Sequence, residues 1–175
     1  MQIFFTYTKP LLMTTSNIML LVTAVTTALI GGLFYAWSCS VTPGLAQVDD
    51  AGFITAFQAM NRAIQNPLFF ACFMGTALLL PLSTFFQYRH GAMVPFRLLL
   101  AASVVYLVGV IGVTAAGNVP MNNALDAFNL KTASAQDIAA QRARFEGPWN
   151  RLNNIRTFAS VVTIVLVVLA CMRSK

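Results

Sequence analysis

Charge is what this 175-residue chain has least of: 9% of its residues are Asp, Glu, Lys or Arg, against about 25% in an ordinary soluble domain. So few charges cannot coat a globule, which excludes a water-soluble fold. There is one histidine, His90, in a short basic segment, and there are three cysteines, Cys39, Cys72 and Cys171. No pair of these stands at metal-ligand spacing, and an odd count gives no disulfide framework. No glycine-rich phosphate loop or dinucleotide fingerprint occurs. No serine has a base beside it for nucleophilic hydrolysis. No long apolar run carries the internal acid of a proton-coupled transporter, and no inverted repeat is visible. Eleven basic residues against five acidic give +6, but they are scattered and build no aromatic-basic patch. That balance speaks of orientation in a membrane and not of nucleic acid.

What the chain has instead is apolar length. Hydrophobic residues make up 58% of it, with 14 Phe, and mean hydropathy is +0.72. Disorder is thereby excluded as well. A hydrocarbon core of about 30 Å needs about 20 apolar residues at 1.5 Å each. Four windows meet this: about Asn17–Val41, Pro67–Phe86, Phe96–Ala116 and Ile155–Met172. None has a charge at its middle, and Arg156 stands at the mouth of the last. The first run, about 25 residues, exceeds the 7–15 of a signal-peptide core and reads as a membrane helix. The expected fold is all-α, a single four-span bundle with short extra helices in the two outer loops.

Basic residues near span ends set orientation. The loop between the second and third spans carries Arg89, His90 and Arg97 without an acid, while all five acids lie in the other two loops. Both termini are therefore expected on the cytoplasmic side of a cell membrane.

The outer loops hold helical patterns of their own. After Asp49 or Asp50 as N-cap, Phe53, Ile54, Phe57, Met60 and Ile64 repeat at helical spacing until Asn66-Pro67. At 100° per residue Asn61 falls about 40° from Phe57, inside the apolar stripe, where its amide needs partners. In the second outer loop Gly117 suits a left-handed stop to the third helix, and Pro120 suits the first turn of another. Ser134 and Asp137 form a capping-box pattern, and Gly147-Pro148 should break that piece before the last span.

Two stripes run along the spans. In the first, Ala24, Ala28, Gly32, Ala36 and Ser40 stand four apart, a surface on which another helix of the chain, a second copy or another membrane subunit can pack closely. In the last, Trp149, Asn153, Arg156, Ser160 and Thr163 follow at steps of four, three, four and three, so they share one face. Leu152, Ile155, Phe158 and Val162 take the opposite, lipid-facing side. A Trp/Arg interface anchor would account for Trp149 and Arg156 alone. It leaves the continuing polar stripe unexplained, whereas a polar cavity accounts for all of it.

Asn61, Asn66, Asn118, Asn122, Asn153, Arg156, Trp149, Tyr35 and Trp37 thus gather at the outer end, although several asparagines suit local turns. Amides, one guanidinium and indoles suit a flat, partly polar aromatic with an acidic hydroxyl or a carbonyl. Phe34-Tyr35-Ala36-Trp37 running to Pro43, Met60-Asn61 with Asn66-Pro67, Gly117-Asn118-Val119-Pro120-Met121-Asn122, and Trp149-Asn150-Arg151-Leu152-Asn153-Asn154-Ile155-Arg156 together resemble the anthrone oxygenase-like family of small membrane proteins. The resemblance covers about Ala24 to Val168. It implies oxidation of an anthrone to an anthraquinone by O₂, with no metal or flavin cofactor.

Chemistry assigns the roles. Arg156, Asn61 and Asn153 are the expected catalytic group: Arg156 stabilises a developing oxyanion and the amides orient oxygens. Trp37, Tyr35, Asn66, Asn118, Asn122 and Trp149 are the expected substrate contacts. The other class compatible with the sequence is a non-enzymatic binding or assembly module for a quinone-like or lipid ligand, docking a partner through the small-residue stripe.

Overall fold

The computed structural model describes residues 15–174. Among them every element is helical, and four helices are long and apolar enough to cross a membrane. The first, α1, spans Thr15–Leu45 and contains a π-helical turn at Trp37–Val41. A short helix, α2, follows at Asp50–Ala63; the Asp49 carboxylate caps it by accepting the Gly52 amide at 2.6 Å. Helix α3, Pro67–Arg89, starts on Asn66, whose Oδ1 accepts the Phe69 amide at 3.0 Å. Gly91, at φ +71°, makes the reverse turn that a side chain would strain. Helix α4 runs Met93–Asp126 and helix α5 runs Ala135–Arg173.

Around the bundle α1 packs on α3 and α5, α3 on α4, and α4 on α5, closing a ring. Leu80, Leu99, Tyr106, Val110 and Val167 fill its centre, while Leu78, Val108, Phe158 and Met172 turn outward. That outward apolar shell is the surface expected against acyl chains. Within the shell, hydroxyls and one amide tie helix to helix: Thr23 to Ser83 at 2.9 Å, Thr84 to Ser103 at 3.2 Å, and Gln87 to Ser16 at 2.9 Å.

The second outer loop differs from the sequence expectation at two places. Gly117 does not stop the third helix. The backbone there stays right-handed, in a π-helical turn at Thr114–Asn118, and continues to Asp126. The wide turn re-registers the hydrogen-bond ladder just where Pro120 has no N–H to give. Gly117 serves close approach instead, since a Cβ there would meet Leu152 Cδ1 at 2.7 Å. Gly147-Pro148 does not break the last helix either; α5 passes through Pro148 without interruption. An α-helical residue before proline is disfavoured mainly through its Cβ, which Gly147 lacks. Phe145 and Trp149, one on either side of the proline, are both buried in the cluster with Phe53, Ile54, Phe57 and Leu125.

The stripe on α1 also resolves one alternative. The buried face of α1 is Thr23, Thr27, Ile30, Gly31 and Phe34, whereas Ala28, Gly32, Ala36 and Ser40 are exposed and only Ala24 is partly covered. Among the described residues no other helix packs on the stripe at Gly32, where nothing lies within 4 Å of the Cβ position.

Candidate functional site

The polar side of α5 turns into the bundle. Trp149, Asn153, Arg156, Ser160 and Thr163 are all buried, and Ile155 and Phe158 are exposed. At their upper end lies a cavity of about 320 Å³, walled by α1 (Phe34, Trp37), α2 (Phe57, Met60, Asn61), α3 (Phe69, Phe73), α4 (Thr114, Asn122) and α5 (Trp149, Asn153, Arg156). Gln65, Phe70, Val119 and Asn123 also line it and are exposed, so the mouth opens between the α2–α3 corner and the end of α4.

Arg156 is the centre of this arrangement, with 6% of its surface exposed. Its Nη2 donates to Asn153 Oδ1 at 2.8 Å, and its Nη1 reaches Thr114 Oγ1 at 3.5 Å. Its Nε is buried without a partner. The guanidinium lies 4.4 Å from the Phe34 ring centre and 5.4 Å from that of Trp149, cation–π distances in both cases. A buried cation is costly unless paired, yet no Asp, Glu or His lines the cavity.

Asn153 holds Arg156 in place through its own anchors. Its Nδ2 donates to Ser38 Oγ at 2.9 Å and, at 3.5 Å, toward the Phe34 carbonyl. Thr157 joins the same knot: its hydroxyl lies 2.8 Å from Ser38 Oγ and 3.0 Å from the Phe34 carbonyl oxygen. The π-turn of α1 carries Ser38 in this knot and Trp37 on the cavity wall. Such turns are rare and often mark functional sites.

The aromatic wall is equally fixed. Trp37, Phe57 and Trp149 contact one another with ring centres 4.8–5.4 Å apart. Trp149 Nε1 donates to Asn122 Oδ1 at 2.8 Å, which leaves the Asn122 amide hydrogens as its free donors. Helix α2 is pinned over this wall by Arg62–Asp126 at 2.7 Å and by Arg142. The latter bonds Asp50 at 3.0 Å, Glu146 at 2.8 Å and the Val48 carbonyl at 2.7 Å.

Of the residues expected from sequence, Arg156, Asn61, Asn153, Trp37, Asn122 and Trp149 line this one cavity. The other three do not. Tyr35 is 58% exposed on the outside of α1; two residues from Trp37 on a helix means about 200° of rotation, so both cannot face one site. Asn66 is spent on the corner, capping α3 and donating to the Ala63 carbonyl at 2.9 Å. Asn118 is fully buried but outside the lining, with neither side-chain polar atom bonded.

Phe34, Thr114, Ser38 and Thr157 were not anticipated. Phe34 and Thr157 sit on helical rows that a closer phase reading finds, for Thr157 is one turn beyond Asn153. Ser38 and Thr114 each stand one turn beyond a buried residue, Phe34 and Val110, so the same phase reading reaches them as well. Among the described residues no group of three or more His, Cys, Asp or Glu converges.

A family model described as anthrone oxygenase matches residues 53–166, more than half of the chain. No curated protein and no solved structure matches it.

Proposed function

The chain belongs to the anthrone oxygenase family, and on that footing we propose that its cavity oxidises an anthrone-like aromatic enol with O₂. The observation that carries this reading is the buried, acid-free Arg156 set among aromatic rings and oriented amides. Loss of a methylene proton from an anthrone gives an enolate whose negative oxygen a guanidinium stabilises. Such a contact in a water-poor site is worth several kcal/mol. The enolate is electron-rich enough to reduce O₂ itself. A carbon–oxygen bond forms, the second methylene hydrogen leaves as a proton, and the O–O bond breaks. One oxygen atom becomes the new carbonyl and the other leaves as water, so substrate and O₂ balance against quinone and water.

In this chemistry Arg156 holds the enolate oxygen and Asn153 fixes the guanidinium. Asn61 and Asn122 orient the ring oxygens, and Trp37 and Trp149 provide the flat walls. No general base lines the cavity, so the Arg156 charge lowers the substrate's pKa and its proton passes to water. The protein works as a multi-pass component of the cell membrane, with both termini cytoplasmic and the cavity at the opposite face.

The test is O₂ uptake by the purified protein in lipid nanodiscs given anthrone, above the rate in empty nanodiscs. Isotopically labelled O₂ should place one labelled atom in the quinone. Arg156→Ala should reduce the rate about a hundredfold or more while circular dichroism stays unchanged. Uptake that does not exceed the empty-nanodisc rate, or a folded Arg156→Ala protein with full activity, overturns the proposal.

A further inference from the structure

The sequence contains five carboxylate side chains, and the structure commits every one of them away from the cavity. Asp49 caps α2 through the Gly52 amide. Asp50 and Glu146 both pair with Arg142, and Asp126 pairs with Arg62. Asp137 closes the capping box with Ser134. Arg156 is therefore left with no internal counter-ion, although it is buried and its Nε hydrogen has no acceptor. Its two ring neighbours and the Asn153 oxygen soften this imbalance without cancelling a unit charge.

We propose that the cavity binds an aryl ligand more tightly as its monoanion, with a phenolate or carboxylate oxygen against the Arg156 guanidinium that lines it, than as the neutral form of the same ring system. The guest supplies the missing charge, and the filled site becomes neutral. Charge-assisted hydrogen bonds are roughly twice as strong as neutral ones and favour the planar fork of Arg. The rest of the lining sets the shape of that guest: Phe34, Phe57, Trp37 and Trp149 offer ring faces, and Asn61 and Asn122 offer amides for a second oxygen. This rests on the cavity being the substrate site, but it concerns binding and not turnover.

The experiment uses two fluorescent probes with one ring system, anthracene-carboxylate and anthracene-methanol, neither of which is an anthrone. Binding is measured by fluorescence anisotropy on the full chain in zwitterionic nanodiscs at neutral pH, with empty nanodiscs subtracted. The carboxylate should bind about tenfold tighter or better. Arg156→Gln should bring the two affinities together, and Arg156→Lys should keep part of the preference. Should the Gln variant fail to fold, the wild-type titration serves. Carboxylate affinity must fall as acidification neutralises the probe, while the alcohol stays level. Equal affinities for the two probes, or a preference that survives Arg156→Gln, overturns the proposal. Charge preference without O₂ uptake on anthrone would support this inference and sink the oxygenase reading. Uptake without charge preference would do the reverse.

Discussion

Asn153 and Arg156 stand three residues apart on α5 and are joined by a single 2.8 Å hydrogen bond from Nη2 to Oδ1. Because Asn153 is itself held by Ser38, the aim of the guanidinium is set by the π-turn of a different helix. Position 153 therefore controls the charge of the site without needing to touch a guest.

Asn153→Asp places a carboxylate where the amide oxygen is and gives Arg156 an internal partner. Affinity for an aryl carboxylate should drop about tenfold or more, because the site no longer needs a guest's charge. The melting temperature should hold or rise. Binding and thermal unfolding measured on the same preparation check both halves.

Trp149→Phe keeps a ring against Phe57 and Trp37 but removes the N–H that holds Asn122. The expected cost is about 0.5–1.5 kcal/mol of stability, with weaker substrate binding and little change in the maximal rate. A KM that rises while kcat holds is the signature; a large fall in kcat would contradict it.

Arg142→Ala should loosen α2 as a unit. The side chain joins Asp50, Glu146 and the Val48 carbonyl and lies 4.7 Å from the Phe53 ring centre. Its loss leaves a turn and two acids without their partner, for an expected destabilisation of about 1–3 kcal/mol. Hydrogen exchange should quicken over residues 45–63 and stay unchanged in the lower halves of the spans.

Gly109→Ala and Gly32→Ala make a contrasting pair. At 109 a new Cβ would meet the Ala159 Cβ at 2.7 Å, and neither atom can swing away. The α4–α5 contact must open, at about 1–3 kcal/mol. At 32 nothing lies within 4 Å, so the fold should tolerate the methyl group. Thermal unfolding in detergent separates the two. A shift of Gly32→Leu from oligomer to monomer would reveal a second copy on the exposed α1 stripe.

The spans, the α2 cap and the inward face of α5 were legible in the sequence because each depends on local periodicity or local side-chain chemistry. Trp149, Asn153 and Arg156 share a face by spacing alone, and α5 there is regular. In the second outer loop the start at Ser134 was legible, but the continuity of the helices through Gly117 and Gly147 was not, because both carry the pattern of terminators. Gly117 faces Leu152 across the α4–α5 contact, whereas Gly147, with nothing near its Cβ position, only eases the helix into the adjoining Pro148. Ser38 and Thr114 escaped although each stands one turn beyond a buried residue, Phe34 and Val110, because a lone hydroxyl in an apolar run gives no sign of a partner across the bundle. Asn66 shows the converse, an asparagine whose cap role was as readable as the site role it does not fill.

Phe70 and Val119 stand at the cavity's mouth on two helices long enough to cross a bilayer, and both are uncovered. If the proposed guest leaves between these two side chains, it steps among acyl chains before it meets water. Its supply would then be counted per lipid and not per litre, and a compound too greasy to dissolve would still be plentiful at the door.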